Sequence, residues 1–252
     1  MLTRRQFLKV CMGTVLASGF SPFAIAAETS SGTAVREIPV LLYHRVGPTT
    51  DPLTVPTARF EQDIKALSNA GYHTISLEQF SGHLRGDVVS LPDQPLLITF
   101  DDGYRDNYEN AFPILQRYGY KGTFYIITGM VGQKDRVTNE HIREMLASGM
   151  SMGSHTVNHL ALAELSPRQA EEELTASKKK LEDILGKAVD SISYPKGSFN
   201  DNTRELAHTI GYDNAFTVKY GTCARKAEPY TLKRIPIFRF DPVATKVMER
   251  YV

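Results

Sequence analysis

The chain is 252 residues long, 42% apolar, 10% aromatic and 23% charged, with 18 glycines and 13 prolines, which excludes disorder, collagen and coiled coil. Its 29 basic side chains against 28 acidic ones leave a formal charge of +1, too weak a field to hold a phosphate backbone or an anionic membrane, so no nucleic acid partner is expected. The length suits one barrel of alternating strands and helices without a second domain.

The N-terminus reads Thr3-Arg4-Arg5-Gln6-Phe7-Leu8-Lys9 and resembles a twin-arginine export signal. The weakly apolar stretch Val10 to Phe23 is broken by Gly13, Gly19 and Pro22, a poor membrane span, and Ala24-Ile25-Ala26 offers a small-x-small cleavage site. A signal peptide over residues 1–26 is expected, handled by the twin-arginine translocase, with a periplasmic or secreted product and no stable membrane anchor. Loss of Arg4, Arg5 and Lys9 leaves the mature chain at about −2. Cys11 goes with the leader, so Cys223 remains alone and no internal disulfide can form. A polar linker over 27–37 precedes a domain over 38–252.

From there, short β-rich runs alternate with amphipathic stretches. The reading is strand Val40 to Tyr43, helix Thr57 to Ala70, strand Leu96 to Phe100, helix Asn107 to Tyr118, strand Gly122 to Ile127 and helix Asn139 to Ser148. It continues with strand Met150 to Gly153, helix Pro167 to Leu185, strand Ser191 to Tyr194, helix Asp201 to Ile210, strand Ala215 to Val218 and a last strand around Arg234 to Phe238. Gly71, Gly119, Gly149, Gly186 and Gly211 stand as helix stops, and Ser166-Pro167 as an N-terminal cap. Such alternation predicts a parallel sheet, closed or doubly wound, with its chemistry at the C-terminal strand ends.

Four strand ends carry polar motifs. Leu96-Leu97-Ile98-Thr99-Phe100 runs into Asp101-Asp102-Gly103, two adjacent carboxylates that raise each other's pKa unless a cation or shared proton relieves them. Alternatively one aspartate caps the following helix and the other lies in solvent. After Met150 to Gly153, His155-Thr156-Val157-Asn158-His159 places two imidazoles four residues apart, on one face if the segment is helical. An aspartate with two histidines leaves coordination positions open for water and substrate. The third motif is Ser193-Tyr194-Pro195-Lys196-Gly197 and the fourth Tyr43-His44-Arg45-Val46. All four converge only in a parallel sheet.

Thr99-Phe100-Asp101-Asp102-Gly103, Ser154-His155-Thr156-x-x-His159 and Ser193-Tyr194-Pro195-Lys196-Gly197 resemble the motifs of the polysaccharide deacetylase family, the NodB homology domain of the family-four carbohydrate esterases. The resemblance implies an α/β fold, a distorted (β/α) barrel, and metal-dependent removal of acetyl groups from N-acetylated sugars. It implies Asp101 as general base, Asp102, His155 and His159 as ligands of one divalent ion, zinc before cobalt, nickel or iron, and the Lys196 backbone N–H as oxyanion donor. The late Leu-x-His motif and the tryptophan of the family are missing, and Ser193 stands where an arginine often orients the base. These departures resemble a subgroup related to poly-N-acetylglucosamine deacetylases, in which a late strand has moved to the N-terminus, so His44 is the candidate acid.

The expected partner is an N-acetylated polysaccharide or oligosaccharide. Tyr104 and Tyr194 are candidate sugar platforms, with core packing as the alternative. Two competing functions are a sugar-binding protein that has lost turnover, which the missing arginine and late histidine favour, and an O-acetyl esterase. Lys178-Lys179-Lys180 and Glu171-Glu172-Glu173 read as a solvated helix face.

Overall fold

The computed structural model describes residues 37–252, so the expected signal peptide and nearly all of the linker lie outside the described residues. Glu37, assigned to the linker, already belongs to structure, because Glu37–Ile38 pairs antiparallel with Cys223–Ala224.

Seven strands form the frame: β1 (Val40–Tyr43), β2 (Pro95–Phe100), β3 (Thr123–Ile126), β4 (Ser151–Ser154), β5 (Ser191–Ser193), β6 (Asn214–Tyr220) and β7 (Leu232–Pro236). All are parallel, and each of β2 to β5 pairs with the next in sequence. After β6 pairs with β7, the first strand closes the ring, with Leu41 opposite Ile235 on β7 and Val40 to Tyr43 opposite Leu97 to Phe100 on β2. The result is a (β/α) barrel, as expected. His73–Thr74 adds a short outer strand at the start of β2.

The helices are α1 (Thr57–Asn69), α2 (Leu77–Arg85), α3 (Phe112–Arg117), α4 (Asn139–Ala147), α5 (Pro167–Leu185), α6 (Asp201–Ile210) and α7 (Ala244–Met248). The expected helix over Asn107 to Tyr118 begins instead as a π-type turn over Asn107–Ala111. Pro113 is the cause, since it has no N–H to offer the carbonyl of Glu109 and the ordinary ladder cannot form there. The short α2 and α7 were not foreseen from the sequence.

Strand parity divides the core in two. Leu41, Tyr43, Ile98, Phe100, Ile192 and Ile235 point outward against the helices, whereas Val40, Leu97, Tyr125, Phe216 and Leu232 point inward. Phe80 and Leu84 of α2 join the inner cluster, and Ser81 of α2 accepts a 2.8 Å bond from Asn214 at the start of β6. Helix α2 therefore plugs the bottom of the barrel. Counting on by twos from inward residues reaches His44, Asp101, His155 and Ser193, each at or just beyond the top of its strand. Period-two geometry thus aims four polar residues at one mouth.

Gly153 is inward-facing and packed against the inner cluster: a Cβ there would lie 2.3 Å from Cε1 of Tyr125 and 3.1 Å from the carbonyl oxygen of Ser191. We expect Gly153→Ala to destabilise the fold by about 1–3 kcal/mol through overpacking, read as a lowered urea midpoint with an unchanged slope.

Candidate active site

Asp101 is 2% exposed and Arg234, from the middle of β7, is 0% exposed. Leu97, Thr99 and Asp101 share the inward parity of β2, as Leu232 and Arg234 share that of β7, so the two charges meet inside the barrel. Arg234 grips the carboxylate with both arms of its fork, Nη1 to Oδ1 at 2.8 Å and Nη2 to Oδ2 at 2.7 Å. The Ser193 hydroxyl accepts from Nη2 at 2.8 Å and donates to Oδ2 of Asp101 at 2.9 Å. Arg234 also donates from Nε to the carbonyl of Thr217 and from Nη1 to the Thr99 hydroxyl. Burial by itself would raise the pKa of Asp101, but the charges of Arg234 and His155 and the Arg234 hydrogen bonds overcome it and hold the carboxyl well below the usual range.

The arginine missing beside the third motif is therefore supplied from another strand. The signal for it was a charged residue at an inward position of the strand Leu232-Lys233-Arg234-Ile235-Pro236, where Lys233 takes the exposed side and Arg234 the buried one.

Asp102 follows in the left-handed region at φ +78°, a conformation that costs a non-glycine residue free energy. Its Oδ1 is buried and accepts no hydrogen bond. Nε2 of His155 lies 3.4 Å from that oxygen and Nε2 of His159 lies 3.3 Å from it. Donor atoms of Asp102, His155 and His159 all fall within 4.8 Å of one another. Nδ1 of His155 lies 2.7 Å from the carbonyl oxygen of Ser193; a carbonyl can only accept, so Nδ1 carries the proton and the lone pair of neutral His155 faces inward. An orphaned carboxylate oxygen facing two imidazole nitrogens fits a divalent cation.

The histidines do not converge by helical periodicity. Residues 155–159 form a loop, with positive φ at Thr156 (+64°) and His159 (+58°). Glu173 holds it: one carboxylate oxygen accepts from the backbone N–H groups of Val157 and Asn158, each at 2.9 Å, and the other accepts from the Asn158 side chain. Glu173 is thus buried, and its assignment to a solvated face is corrected. Of the lysines, Lys178 caps the carbonyl of Val189 and Lys180 that of Thr128.

His155 is raised above an ordinary imidazole; burial opposes this, but Asp101 and Asp102 prevail. In His159 burial wins, aided by His155 and by the Lys196 ammonium, and its pKa falls. His44 is half-buried and sits where Asp101 and Asp102 act on it; burial dominates and lowers its pKa while the two carboxylates pull upward. Its backbone is fastened by the π-type turn: Asn107 Nδ2 donates to the His44 carbonyl at 2.7 Å, and Asn110 Nδ2 to that of Val46 at 2.7 Å. Lys196 lies in the left-handed region at φ +57° within a tight turn whose own bonds use the N–H groups of Gly197 and Ser198.

The two tyrosines are not free platforms. Tyr194 is 0% exposed and stacked on Phe199 at 5.4 Å. The Tyr104 ring has the Arg45 guanidinium 4.4 Å and that of Arg136 4.0 Å from its centroid; two cations that close must take opposite faces, leaving none for a sugar. Cys223 is buried, with its thiol pushed up to about 12 by burial.

The polysaccharide deacetylase family model matches residues 89–215. YxkH of Bacillus subtilis (strain 168), whose name places it among the polysaccharide deacetylases, is 36% identical over 201 residues, 80% of this chain and 71% of that protein. The poly-beta-1,6-N-acetyl-D-glucosamine N-deacetylase of Staphylococcus aureus (strain MSSA476) is 27% identical over 73% of this chain and 68% of its own length. Among solved structures, the Streptococcus pyogenes deacetylase PplD in complex with acetate superposes with a TM-score of 0.77 at 31% identity, covering 81% of this chain and 93% of that one. The chain belongs to the polysaccharide deacetylase family.

Removing Arg234 would leave a buried carboxylate unpaired. Arg234→Met is expected to cost about 3–5 kcal/mol of stability at neutral pH, with Arg234→Met/Asp101→Asn regaining part of it in a double-mutant cycle. Because the folded pKa of Asp101 is depressed, the pair contributes fully above the unfolded carboxylate's pKa and loses its contribution as pH falls toward the folded one. The unfolded chains titrate alike, so the gap between wild type and Arg234→Met should narrow as pH falls below the carboxyl pKa that burial raises in the variant, measured by denaturant titration across pH.

Proposed function

We propose that this chain is an exported, divalent-metal-dependent N-deacetylase that hydrolyses the acetamide of N-acetylated amino sugars in a polysaccharide resembling poly-β-1,6-N-acetylglucosamine. The observation that carries the reading is the orphaned Oδ1 of Asp102 facing two imidazoles beside a carboxylate held by Arg234. Support for the polymer comes from the Staphylococcus relative, and support for export from Arg4-Arg5 and Ala24-Ile25-Ala26.

Asp102, His155 and His159 would hold the ion, zinc being our choice. When bound, such an ion supplies Lewis-acid polarisation of the acetyl carbonyl and a more acidic water. Asp101, ionised throughout the neutral range, accepts the proton of the attacking water; Arg234 and Ser193 keep it oriented and ionised at some cost in basicity. The Lys196 N–H, free of the turn's own bonds, donates to the oxygen on which charge develops. His44, across from Asp101, hands a proton to the departing amine. An inactive binding protein loses one of its two supports, because Arg234 pairs with Asp101 where no arginine stands beside the third motif.

Acetate release from N-acetylglucosamine oligomers is expected to disappear on chelation and return with zinc. Asp101→Asn should keep the metal and lose activity by about 10²–10⁴, whereas His159→Ala should lose the metal, counted by elemental analysis. Full activity in either variant would overturn the assignment.

An acid that protonates the leaving group matters most when that group leaves badly. His44→Ala is expected to slow acetamide hydrolysis by about 10² or more and hydrolysis of an aryl acetate by less than about tenfold; equal losses on both would remove His44 from that role. For export, replacing Arg4 and Arg5 together by lysine should leave precursor in the cytoplasm, judged by fractionation and chain length.

A further inference from the structure

The loop after β7 carries Phe240, whose side chain is 82% exposed. One exposed phenylalanine is ordinary on a protein surface, but this one sits on an unusually well-tied segment. Phe238 N–H donates to the Asp241 carboxylate at 2.8 Å, and Arg239 N–H to the carbonyl of Pro52 at 2.9 Å. The Arg239 guanidinium donates to the carbonyl of Thr49 at 2.6 Å, and the Arg59 guanidinium to the carbonyls of Asp241 and Pro242. Arg59 is itself paired with the buried Asp63 at 2.9 Å. The backbone on both sides of Phe240 is therefore pinned, while its ring stays largely in water with the Arg239 guanidinium 6.0 Å from its centroid.

The loop also belongs to the barrel mouth. Ile237 N–H donates to the carbonyl of Leu42, and Asp101 N–H to that of Tyr43, so β7, β1 and β2 are joined at the level of the site. Pro52, which receives the Arg239 N–H, precedes Leu53, itself 36% exposed. The segment 48–56 and the segment 237–242 form one lip with two apolar side chains on it, beside the strand end that carries His44. With Tyr104 and Tyr194 both covered, this lip offers an exposed aromatic ring at the mouth, more exposed than Tyr220 at the end of β6.

We propose that Phe240 is a specificity-determining platform on which a pyranose ring of the same glycan chain stacks, away from the sugar being deacetylated, so that polymers are favoured over short oligomers. This rests on the deacetylase reading of the site. The occupant is a sugar because the C–H face of a pyranose matches a flat apolar ring, and a pre-ordered ring loses little conformational freedom on binding.

The test uses the full mature chain with β-1,6-linked N-acetylglucosamine dimer and hexamer. Phe240→Ala is expected to raise KM for the hexamer about five- to tenfold, with kcat and all constants for the dimer unchanged, and Phe240→Tyr should restore the hexamer KM. Since the chain has no tryptophan, Phe240→Trp supplies a sole indole that can be excited apart from the tyrosines at the red edge of the absorption band, and its emission should shift with hexamer and not with dimer. An unchanged hexamer KM in Phe240→Ala, equal losses on both lengths, or no emission shift at saturating hexamer would overturn the platform. An emission shift without acetate release by wild type would uphold the platform and defeat the deacetylase reading.

Discussion

A carboxylate buried inside a barrel must be paired, and the organisation of this site follows from how Asp101 is paired. Its ionised form survives burial because a guanidinium arrives from a strand two places along the sheet with matched two-point geometry. That contact requires β2 and β7, which flank β1 in the sheet, to share inward parity, and their pairing with β1 on either side provides it. Ser193 completes the arrangement from a third strand. Asp101 is thus a reporter of barrel closure as well as a member of the site.

The adjacent carboxylate is treated in the opposite way. Asp102 has a strained backbone, a buried oxygen without a hydrogen-bond partner and two imidazole neighbours. Asp101 is saturated with hydrogen bonds and Asp102 is left short of them, so two chemically identical neighbours become one fully paired carboxylate and one with an oxygen open beside two imidazoles. Asp102 takes a left-handed φ, and so do Thr156 and His159 in the loop that carries the histidines. Strain concentrated at these positions is offset by the framework around them, including Glu173 beneath the histidine loop.

Much of this was legible in the sequence. Strand limits such as Val40 to Tyr43 and helix limits such as Pro167 to Leu185 coincide with the structure because parallel barrel strands are short apolar runs and helices end at glycine. The four polar strand ends were visible for the same reason. The approach of the two histidines was expected from helical spacing and arises instead from a loop with two left-handed residues, which no periodicity announces. Arg234 was missed because its partner is 133 residues away, and only the inward parity of β7 ties them. The covering of Tyr104 by Arg45 and Arg136 likewise depends on side chains brought together by tertiary structure.

The position of β1 has a consequence for how the chain assembles. Its partners are β2, some fifty residues later, and β7, near the C-terminus. Contacts of such long sequence separation carry a large loop-closure cost and form late. During synthesis the aspartates and both histidines leave the ribosome well before Arg234 does, so a chain that has made the first five strands has an unpaired Asp101 in an open sheet. The last strand to emerge closes the barrel and brings in the charge that Asp101 needs, so site completion and fold completion are a single event.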